Sequence, residues 1–319
     1  MEKIKSITLL LLNAIVLSII LGKLFIPILK KMHIGQNIRE EGPKEHYKKS
    51  GTPTMGGIII LLTIIILSII YLPKDLKLLI IIIGSLGFGF VGFIDDFLKL
   101  VMKRSLGLSA KGKLLLQFAI SFLVIYLLKK ELGVDYDKVI LPFSKNTIHL
   151  GYSIFIIYPF IMLGTVNAVN LTDGLDGLVS TVTLPVLGFL LVASNHDLST
   201  SGIVIITFGA LLGFLVFNSN KASVFMGDTG SMLLGGLITT IALMYNMALF
   251  IPIFGFIYLI EALSVIIQVI SYKTRNKKRV FLMSPIHHHY ELKGYNEQKI
   301  VTAFSVISVI CCLIATNLL

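Results

Sequence analysis

Long apolar runs alternate with short polar connections along most of the chain. Because a helix needs about 20 predominantly apolar residues to cross a hydrocarbon layer of roughly 30 Å, each such run predicts a membrane-spanning helix. We therefore predict an all-α polytopic membrane protein with about ten transmembrane helices. The ten runs lie near residues 5–29, 55–72, 77–94, 113–129, 151–169, 177–194, 201–217, 231–246, 248–271 and 299–318.

Two of these runs are less regular than the others. The fourth is short, but Lys113, Lys129 and Lys130 flank it and can extend their ammonium groups toward the polar boundary. The stretch from Ser231 to Ile270 is almost unbroken, and one helix of 40 residues would measure about 60 Å at 1.5 Å per residue. Since that is twice the hydrocarbon thickness, we divide the stretch near Tyr245–Asn246.

Composition supports a single integral-membrane domain over residues 1–319. The chain is 55% hydrophobic and 14% charged, with a mean hydropathy of +0.89, whereas soluble domains carry about 25% charged residues. No polar stretch is long enough for a large soluble domain. Cys311 and Cys312 are the two cysteines; they are adjacent in the last apolar run and indicate neither a disulfide framework nor a metal site.

The distribution of basic residues predicts the orientation in the membrane. The loops after the first, third, fifth, seventh and ninth runs hold 19 of the 28 Lys and Arg residues, including all four arginines. The positive-inside rule places those loops in the cytoplasm and both termini outside. On the outer side, residues 135–150 predict a small hairpin. The net charge of +11 mostly reflects this orientation in the membrane. The basic residues could also bind anionic lipid or a phosphorylated substrate. Because they lie in separate loops, they do not favour binding to nucleic acid.

The first two cytoplasmic loops carry candidate phosphate and metal contacts. The segment KEHYKKSGTPTMGG places Lys48 before a turn and a glycine pair, which could hold a phosphate through backbone amides or could be an ordinary basic loop. The segment FIDDFLK places Asp95 and Asp96 where the third run ends. Such a pair suits divalent-cation binding or one general base. The alternative is a helical salt bridge from Asp95 to Lys99, which leaves Asp96 unexplained.

The next two loops add three more acids. In NAVNLTDGLDGL, Asp173 and Asp176 would share one face of a helix, and Gly174 would let a backbone or ligand approach closely. This loop has no Lys or Arg, so a cation or basic residues from another loop should balance its acids. In FMGDTGS, Asp228 has either a chemical role or the role of a helix cap. Phe225 either stacks on a planar base or lies at the membrane interface.

The fifth loop contains SPIHHHYELKG, which predicts a short helix. Ser284 is the expected N-cap, Pro285 the first helical residue and Gly294 the stop. Successive helical residues lie about 100° apart, so the three histidines cannot all face one metal. Near a helix start they can donate hydrogen bonds to a phosphate instead. With five acids, several lysines and no plausible thiol or serine nucleophile, the loops together suit an oxygen-ligated Mg²⁺ and a diphosphate.

Five segments together closely resemble the bacterial phospho-N-acetylmuramoyl-pentapeptide transferases, and they occur in the order GTPTMGG, FIDDFLK, NAVNLTDGLDGL, FMGDTGS and SPIHHHYELKG. That family lies within the polyprenyl-phosphate N-acetylhexosamine-1-phosphate transferases, and the resemblance covers the whole chain. It implies ten spans, location in the bacterial cell membrane and a Mg²⁺-dependent reaction. Undecaprenyl phosphate would attack the β-phosphate of UDP-N-acetylmuramoyl-pentapeptide, releasing UMP and leaving lipid I in the membrane. Membrane lipids are implied partners, and a homodimer is common in that family.

The resemblance also implies roles for individual residues. Asp228 is the expected Mg²⁺ ligand, and Asp95 is expected to deprotonate or orient the lipid phosphate, with Asp96 as its partner. Direct displacement is favoured over a phosphoryl-enzyme, because it needs only positioning and charge stabilisation. Nucleotide and metal contacts are expected from Asn170, Asp173, Gly174 and Asp176, uridine contacts from Asn218 and Phe225, substrate or phosphate contacts from Lys48, Lys111, His287, His288 and His289, and a sugar or peptide contact from Gln268.

Two alternative functions share parts of this pattern. A sister transferase that uses UDP-N-acetylglucosamine would have the same acids, although the His-His-His-Tyr-Glu-Leu segment argues against it. A transporter often has broken helices and charges near the membrane midplane. Here the acids gather at one face, and Glu261 and Lys23 are the charges that fall well inside predicted spans. The transferase is therefore the favoured interpretation.

Overall fold

The computed structural model describes residues 2–31, 51–100, 102, 107–144, 146–195 and 197–319, with side chains from residue 7 onward except at 134. Lys48, a predicted substrate contact, lies outside the described residues. Within them the chain forms twelve α-helices and one two-stranded sheet. The helices are α1 (Glu2–Lys31), α2 (Gly57–Tyr71), α3 (Leu76–Leu100), α4 (Ala110–Leu132), α5 (Ile154–Thr172), α6 (Leu178–Ala193), α7 (Leu198–Asn218), α8 (Gly227–Met244), α9 (Ile251–Phe254), α10 (Phe256–Thr274), α11 (Ile286–Leu292) and α12 (Glu297–Leu318).

The apolar runs coincide with the long helices. Among the described residues, eight helices are long and apolar enough to cross a membrane, namely α1, α3, α4, α5, α7, α8, α10 and α12. The apolar helices α2 and α6 are shorter, with 15 and 16 residues. The polytopic all-α architecture is therefore confirmed, and each predicted run contains a helix.

The division of the longest apolar stretch is confirmed, and a second break follows it. α8 ends at Met244, and the chain turns at Asn246, whose φ is +60°. The ninth run then contains two helices instead of one, because α9 ends before Gly255 and α10 begins after it. Pro252 stands in the first turn of α9, where its missing N–H leaves no helical hydrogen bond unmade.

The predicted hairpin is also present. It consists of the antiparallel strands β1 (Lys138–Ile140) and β2 (Thr147–His149). The Asp137 carboxylate accepts a hydrogen bond from the Gly151 amide at 2.8 Å and lies 3.0 Å from Nδ1 of His149. These bonds join the hairpin to the residues that lead into α5.

The central helix of the fold is α8, in which every residue from Thr229 to Met244 is buried. α3 packs along it, and glycines let the two helices come close. A Cβ added to Gly84 would collide with the side chain of Thr240, and one added to Gly92 would collide with the backbone of Asp228. This contact therefore holds the end of α3, with its two adjacent acids, beside the start of α8.

One face of α10 is polar and buried, while the opposite face is apolar and exposed. The apolar face carries Leu263, Ile266, Ile267, Val269 and Ile270. Such an arrangement suits a helix that touches lipid, because polar side chains in a membrane must find partners inside the protein. The buried polar residues, called here the polar stripe, are Glu261, Ser264, Gln268 and Ser271.

Gly92→Ala should lower the thermal unfolding midpoint of the detergent-solubilised protein. The added methyl group would collide with the backbone of Asp228, and overpacking of this kind costs about 1–3 kcal/mol. Gly164→Ala is the matched control, because Gly164 also lies in a helix and nothing else lies within 4 Å of an added Cβ. The control should keep or slightly raise the midpoint, since alanine favours a helix by up to about 1 kcal/mol. Equal midpoints for the two variants would contradict the close approach of α3 and α8.

Candidate active site

The start of α8 is held by carboxylates from two other elements. The first amides of a helix have no acceptor within the helix. The Gly227 amide donates to Asp173 at 3.1 Å, and the amides of Asp228 and Thr229 donate to Asp96 at 3.3 and 2.9 Å. The Thr229 hydroxyl donates to Asp96 as well, at 2.7 Å. Asp96 and Asp173 are therefore the caps of α8, and the alternative that Asp228 is its own helix's N-cap is wrong.

Two carboxylates and two ammonium groups meet next to this helix start. Lys99 lies 2.7 Å from Asp95, which confirms the i,i+4 salt bridge. Lys113 lies 2.8 Å from Asp228 and 3.3 Å from the same oxygen of Asp95 that binds Lys99. Lys99 and Asp228 are 3.5 Å apart. These four residues, called here the acid–lysine cluster, join the end of α3, the start of α4 and the start of α8.

Lys113 is the member of the cluster that the sequence did not predict. The prediction selected Lys111, which the structure places on the exposed side of the first turn of α4. Two residues along a helix is a rotation of about 200°, so Lys111 and Lys113 point to opposite sides. From the sequence alone, Lys113 was interpreted as a charge that flanks a short span. Lys113 lies in the first turn of α4 and points toward Asp95. That direction can be predicted only if the start of α4 is known to be Ala110.

Asn170 connects the third loop to the cluster. Its side-chain amide donates to Asp228 and to the hydroxyl of Ser231, both at 2.9 Å. Since Asp228 also contacts Lys113 through its other oxygen, both of its carboxylate oxygens have a fixed direction. The expected proximity of Asn170 and Asp228 is therefore present in the structure.

Asp173 and Asp176 do not share a helix face, contrary to the prediction. α5 ends at Thr172, and Gly177 has a φ of +74°, so residues 173–177 form a turn. Burial, together with the nearby Asp228 carboxylate, raises the pKa of Asp173 to about 8.

Asp176 faces away from the acid–lysine cluster. Its carboxylate accepts the Ala222 amide at 2.9 Å, and its own amide donates to Glu297 at 2.7 Å. Asp176 and Glu297 line a cleft of about 330 Å³, together with residues from the end of α7 and the start of α12. The two acids of the third loop therefore contact different parts of the protein: Asp173 contacts the start of α8, whereas Asp176 contacts the loop after α7 and the start of α12.

The predicted uridine contacts lie at the two ends of the connection from α7 to α8: Asn218 is the last residue of α7, and Phe225 lies on the loop that leads into α8. Asn218 is buried, and its amide donates to the carbonyl oxygen of Val224 at 3.0 Å, which fixes the position of the loop. Phe225 is half-buried, so part of its ring is accessible. The amides of Gly56 and Gly57 donate to the carbonyl oxygens of Phe225 and Met226 at 2.9 and 2.8 Å. These two amides are therefore not free to hold a phosphate, as the sequence had allowed.

Each of the three histidines uses its Nδ1 atom within the protein. Nδ1 of His287 lies 3.0 Å from Glu261, and Nδ1 of His288 lies 2.6 Å from Glu291. Nδ1 of His289 accepts the amide of Leu282 at 3.1 Å. His287 is completely buried, whereas His288 and His289 are half-buried. Part of each of these two residues is therefore accessible from outside the protein.

The boundaries of α11 differ slightly from the prediction. The helix begins at Ile286, so Pro285 occupies the cap position and Ser284 is not the N-cap. Pro285 lacks an N–H. The cap position tolerates this, because a residue there donates no hydrogen bond within the helix. Gly294, with a φ of +88°, follows the end of the helix as expected.

Gln268 fastens the connection between α10 and α11. Its side-chain oxygen accepts the amides of Val280 and Phe281, both at 3.0 Å, and its amide donates to the carbonyl oxygen of Phe281 at 2.9 Å. Ser271, one turn along the polar stripe, donates to the carbonyl oxygen of Lys278 at 2.9 Å. Gln268 was expected to contact the sugar or peptide, and in this structure its contacts are with the protein backbone.

A magnesium ion fits the oxygen donors of the acid–lysine cluster. Among the residues that the structure describes, no group of three or more His, Cys, Asp or Glu side chains is placed to hold a metal by itself. Mg²⁺ is, however, usually bound by one or two carboxylates together with substrate phosphates and waters. Asp95 and Asp228, which share Lys113, supply two carboxylates. The cluster therefore suits a metal that arrives with a diphosphate.

Comparisons with known proteins agree on one family. The family model described as Glycosyl transferase family 4 matches residues 78–246, and the phospho-N-acetylmuramoyl-pentapeptide-transferase signature 1 matches residues 49–61. A relative from Clostridium beijerinckii is 49% identical over 93% of this chain and 91% of its own length. Relatives from Caldanaerobacter subterraneus and Halalkalibacterium halodurans are 46% and 44% identical, over 92% and 100% of this chain and 92% and 98% of their own lengths. All three relatives are called phospho-N-acetylmuramoyl-pentapeptide-transferase.

Asp96→Ala should lower the thermal unfolding midpoint, and Asp96→Asn should lower it less. Alanine leaves the amides of Asp228 and Thr229 without their acceptor, and a buried unmade hydrogen bond costs about 1–3 kcal/mol. Asparagine keeps one side-chain oxygen that can accept. The midpoints are measured in detergent without ligand. A higher midpoint for Asp96→Ala would mean that relief of repulsion between Asp96 and Asp228 outweighs the capping bonds, which would contradict the capping role.

Proposed function

Because the chain belongs to the phospho-N-acetylmuramoyl-pentapeptide-transferase family, we propose that the acid–lysine cluster is the centre at which it transfers a phospho-sugar. The protein is a bacterial membrane transferase of peptidoglycan synthesis. It moves phospho-N-acetylmuramoyl-pentapeptide from its UDP donor to undecaprenyl phosphate, and the products are lipid I and UMP. The observation that carries the proposal is that the carboxylates of Asp95 and Asp228 each lie within 3.5 Å of two ammonium groups, those of Lys99 and Lys113.

The membrane arrangement that we propose has ten spans, with both termini outside and the cluster on the cytoplasmic face. The end of α3, the start of α4, the end of α5 and the start of α8 all contribute to the site or its support. Helices that cross in alternating directions bring these particular ends to one face. The proposal includes α2 and α6, whose 15 and 16 residues correspond to about 22–24 Å of helix. They would cross where the bundle thins the bilayer locally.

Charge balance determines the roles that we assign to the four residues. A donor diphosphate brings negative charge, and Lys99 and Lys113 are the cations that meet it. Asp228, alone or with Asp95, would hold Mg²⁺, which supplies charge neutralisation for the diphosphate when it is bound. Asn170 keeps the Asp228 carboxylate oriented through its 2.9 Å hydrogen bond.

Asp95 is proposed to orient the acceptor. A phosphate monoester has a second pKa of about 6, so undecaprenyl phosphate is already mostly ionised near neutral pH and needs little help from a base. An oxygen of the lipid phosphate forms the new bond to the β-phosphorus of the donor. The bond from the β-phosphorus to the bridging oxygen breaks, and UMP leaves with the electron pair. Direct displacement in this form requires positioning and charge stabilisation and no covalent intermediate on the protein.

The nucleotide is proposed to lie beside the loop that leads into α8. The accessible part of the Phe225 ring offers a stacking surface for uracil. Asn218 supports that loop from inside, and Asp176 holds its Ala222 end. His288 and His289 are proposed to reach the phosphates or the sugar through Nε2. Lys111 and Lys48 are proposed as outer contacts for the same negative charges.

UMP release by the purified protein tests the function. With undecaprenyl phosphate and Mg²⁺ in detergent, we expect release with UDP-N-acetylmuramoyl-pentapeptide and none with UDP-N-acetylglucosamine. Excess EDTA should stop the reaction, and added Mg²⁺ should restore it. Release only with the glucosamine donor would instead assign the chain to the sister activity. Full release in EDTA would remove the metal from the proposal.

Asp228→Asn should reduce turnover by at least about 10²-fold, a typical loss for one electrostatic group at a transition state. The variant keeps the size of the side chain and one of its two accepting oxygens, so it should remain folded and extractable. Asp135→Asn is the matched control, because Asp135 pairs with Lys138 at 2.6 Å at the hairpin, beyond the opposite end of α4 from Lys113. The control should retain full activity. Substantial turnover by Asp228→Asn at ordinary Mg²⁺ concentration would remove this residue from the metal role.

A further inference from the structure

The polar stripe of α10 contains a buried acid that the mechanism above does not use. Glu261 and His287 are both completely shielded from solvent, and Oε1 of Glu261 lies 3.0 Å from Nδ1 of His287. Within the described part of the chain, the second oxygen of Glu261 and Nε2 of His287 are buried and have no hydrogen-bond partner. Each of the two groups therefore depends on the other for its polar contact.

The membrane setting makes this mutual dependence strong. A carboxylate inside a membrane-spanning helix is costly unless it is paired. Nδ1 of His287 and Oε1 of Glu261 lie within hydrogen-bond distance of each other, so the ring has a fixed orientation. The two residues are 26 positions apart, and their bond ties α11 to the second turn of α10. Gln268 and Ser271 tie the intervening connection to the same stripe.

The other side of the imidazole ring meets the turn at residues 173–177. A Cβ added to Gly174 would collide with Nε2 and Cε1 of His287. Gly174 has no left-handed φ, so the absence of a side chain provides space here rather than backbone freedom. The residue before it, Asp173, accepts the first amide of α8. The ring of His287 thus lies between α10 and the turn that supports the start of α8.

We propose that Glu261 is a positioning residue of the transferase, which acts by holding His287 as an anchor between α10 and the Gly174 turn. His287 then has no direct contact with the donor. The anchor fixes α11 so that the half-buried His288 and His289 face the site, and it keeps Asp173 under α8. This inference rests on the proposed function, because the positioning matters only if the cluster carries out the transfer.

The test replaces the pair by apolar residues, singly and together. Glu261→Leu leaves His287 without a partner and His287→Leu leaves Glu261 without one, so both single variants should have lower unfolding midpoints. The double variant exchanges a buried hydrogen-bonded pair for an apolar pair, which is often neutral or stabilising, so its midpoint should return to about that of the wild type. Turnover should nevertheless stay low, with kcat reduced about 10–100-fold in all three variants, since a displacement of about 1 Å can cost about 10²-fold.

Two further readouts separate positioning from general loss of structure. Hydrogen exchange of the backbone amides in residues 286–292 should become faster in Glu261→Leu, and kcat should fall by a larger factor than KM for the donor rises. Ser264→Ala is the matched control: Ser264 lies three residues along the polar stripe and donates only to the backbone oxygen of Glu261, at 2.7 Å. It should keep the wild-type kcat and exchange rate.

Each contrary result overturns a particular part of the proposal. A double variant with wild-type kcat would make the pair purely structural. An increased donor KM with unchanged kcat would make His287 a direct donor contact instead of an anchor. Unchanged amide exchange in residues 286–292 would show that the pair does not hold α11. If the wild-type protein releases no UMP, the proposed function has failed, whereas the exchange measurement still decides whether Glu261 anchors α11.

Discussion

The close contact between α3 and α8 is the constraint on which the rest of the site depends. α8 is buried along nearly its whole length, and α3 can approach it only because Gly84 and Gly92 have no side chains. Two helices in a membrane gain little from hydrophobic burial against each other, so close packing of small residues contributes much of their association. Here that packing also sets a register. It leaves Asp95 and Asp96 at the level of the first turn of α8, from which the other contacts of the site follow.

The acids of the site divide into a set that supports α8 and a set that pairs with lysines. Asp96 and Asp173 accept the amides at the start of α8, while Asp95 and Asp228 share two lysines. A helix that starts inside a protein bundle cannot rely on water for its free amides, so protein oxygens must take that role. The same need explains the polar stripe of α10, which binds the chain that returns toward α11. The contacts that support the site in this protein are therefore polar and buried. A soluble enzyme would more often support its site by apolar packing.

Much of the fold could be predicted because length and hydropathy alone decide where a chain can cross a bilayer. The ten apolar runs, the break after Met244 and the hairpin needed no knowledge of distant contacts. The motifs also indicated which loops meet. Lys113 was missed as a member of the cluster because its direction depends on where α4 begins, and the pairing of Glu261 with His287 joins residues 26 positions apart. Side-chain direction follows from helix phase and tertiary contact, and neither can be obtained from the local sequence.

The occupied start of α8 has a consequence for how the reaction can end. The free amides of a helix start usually form a rigid site for anions. Here Asp96 and Asp173 take the amides of Gly227, Asp228 and Thr229, so the helix offers no fixed cradle to a phosphate. In the proposed site, attraction for the substrates would come from lysine side chains, which have several rotatable bonds and strong hydration. Positive charge on a flexible stem can follow a phosphate from one molecule to another and then return to a carboxylate. Both products carry phosphate, and such an arrangement lets them depart without breaking a rigid network of backbone hydrogen bonds.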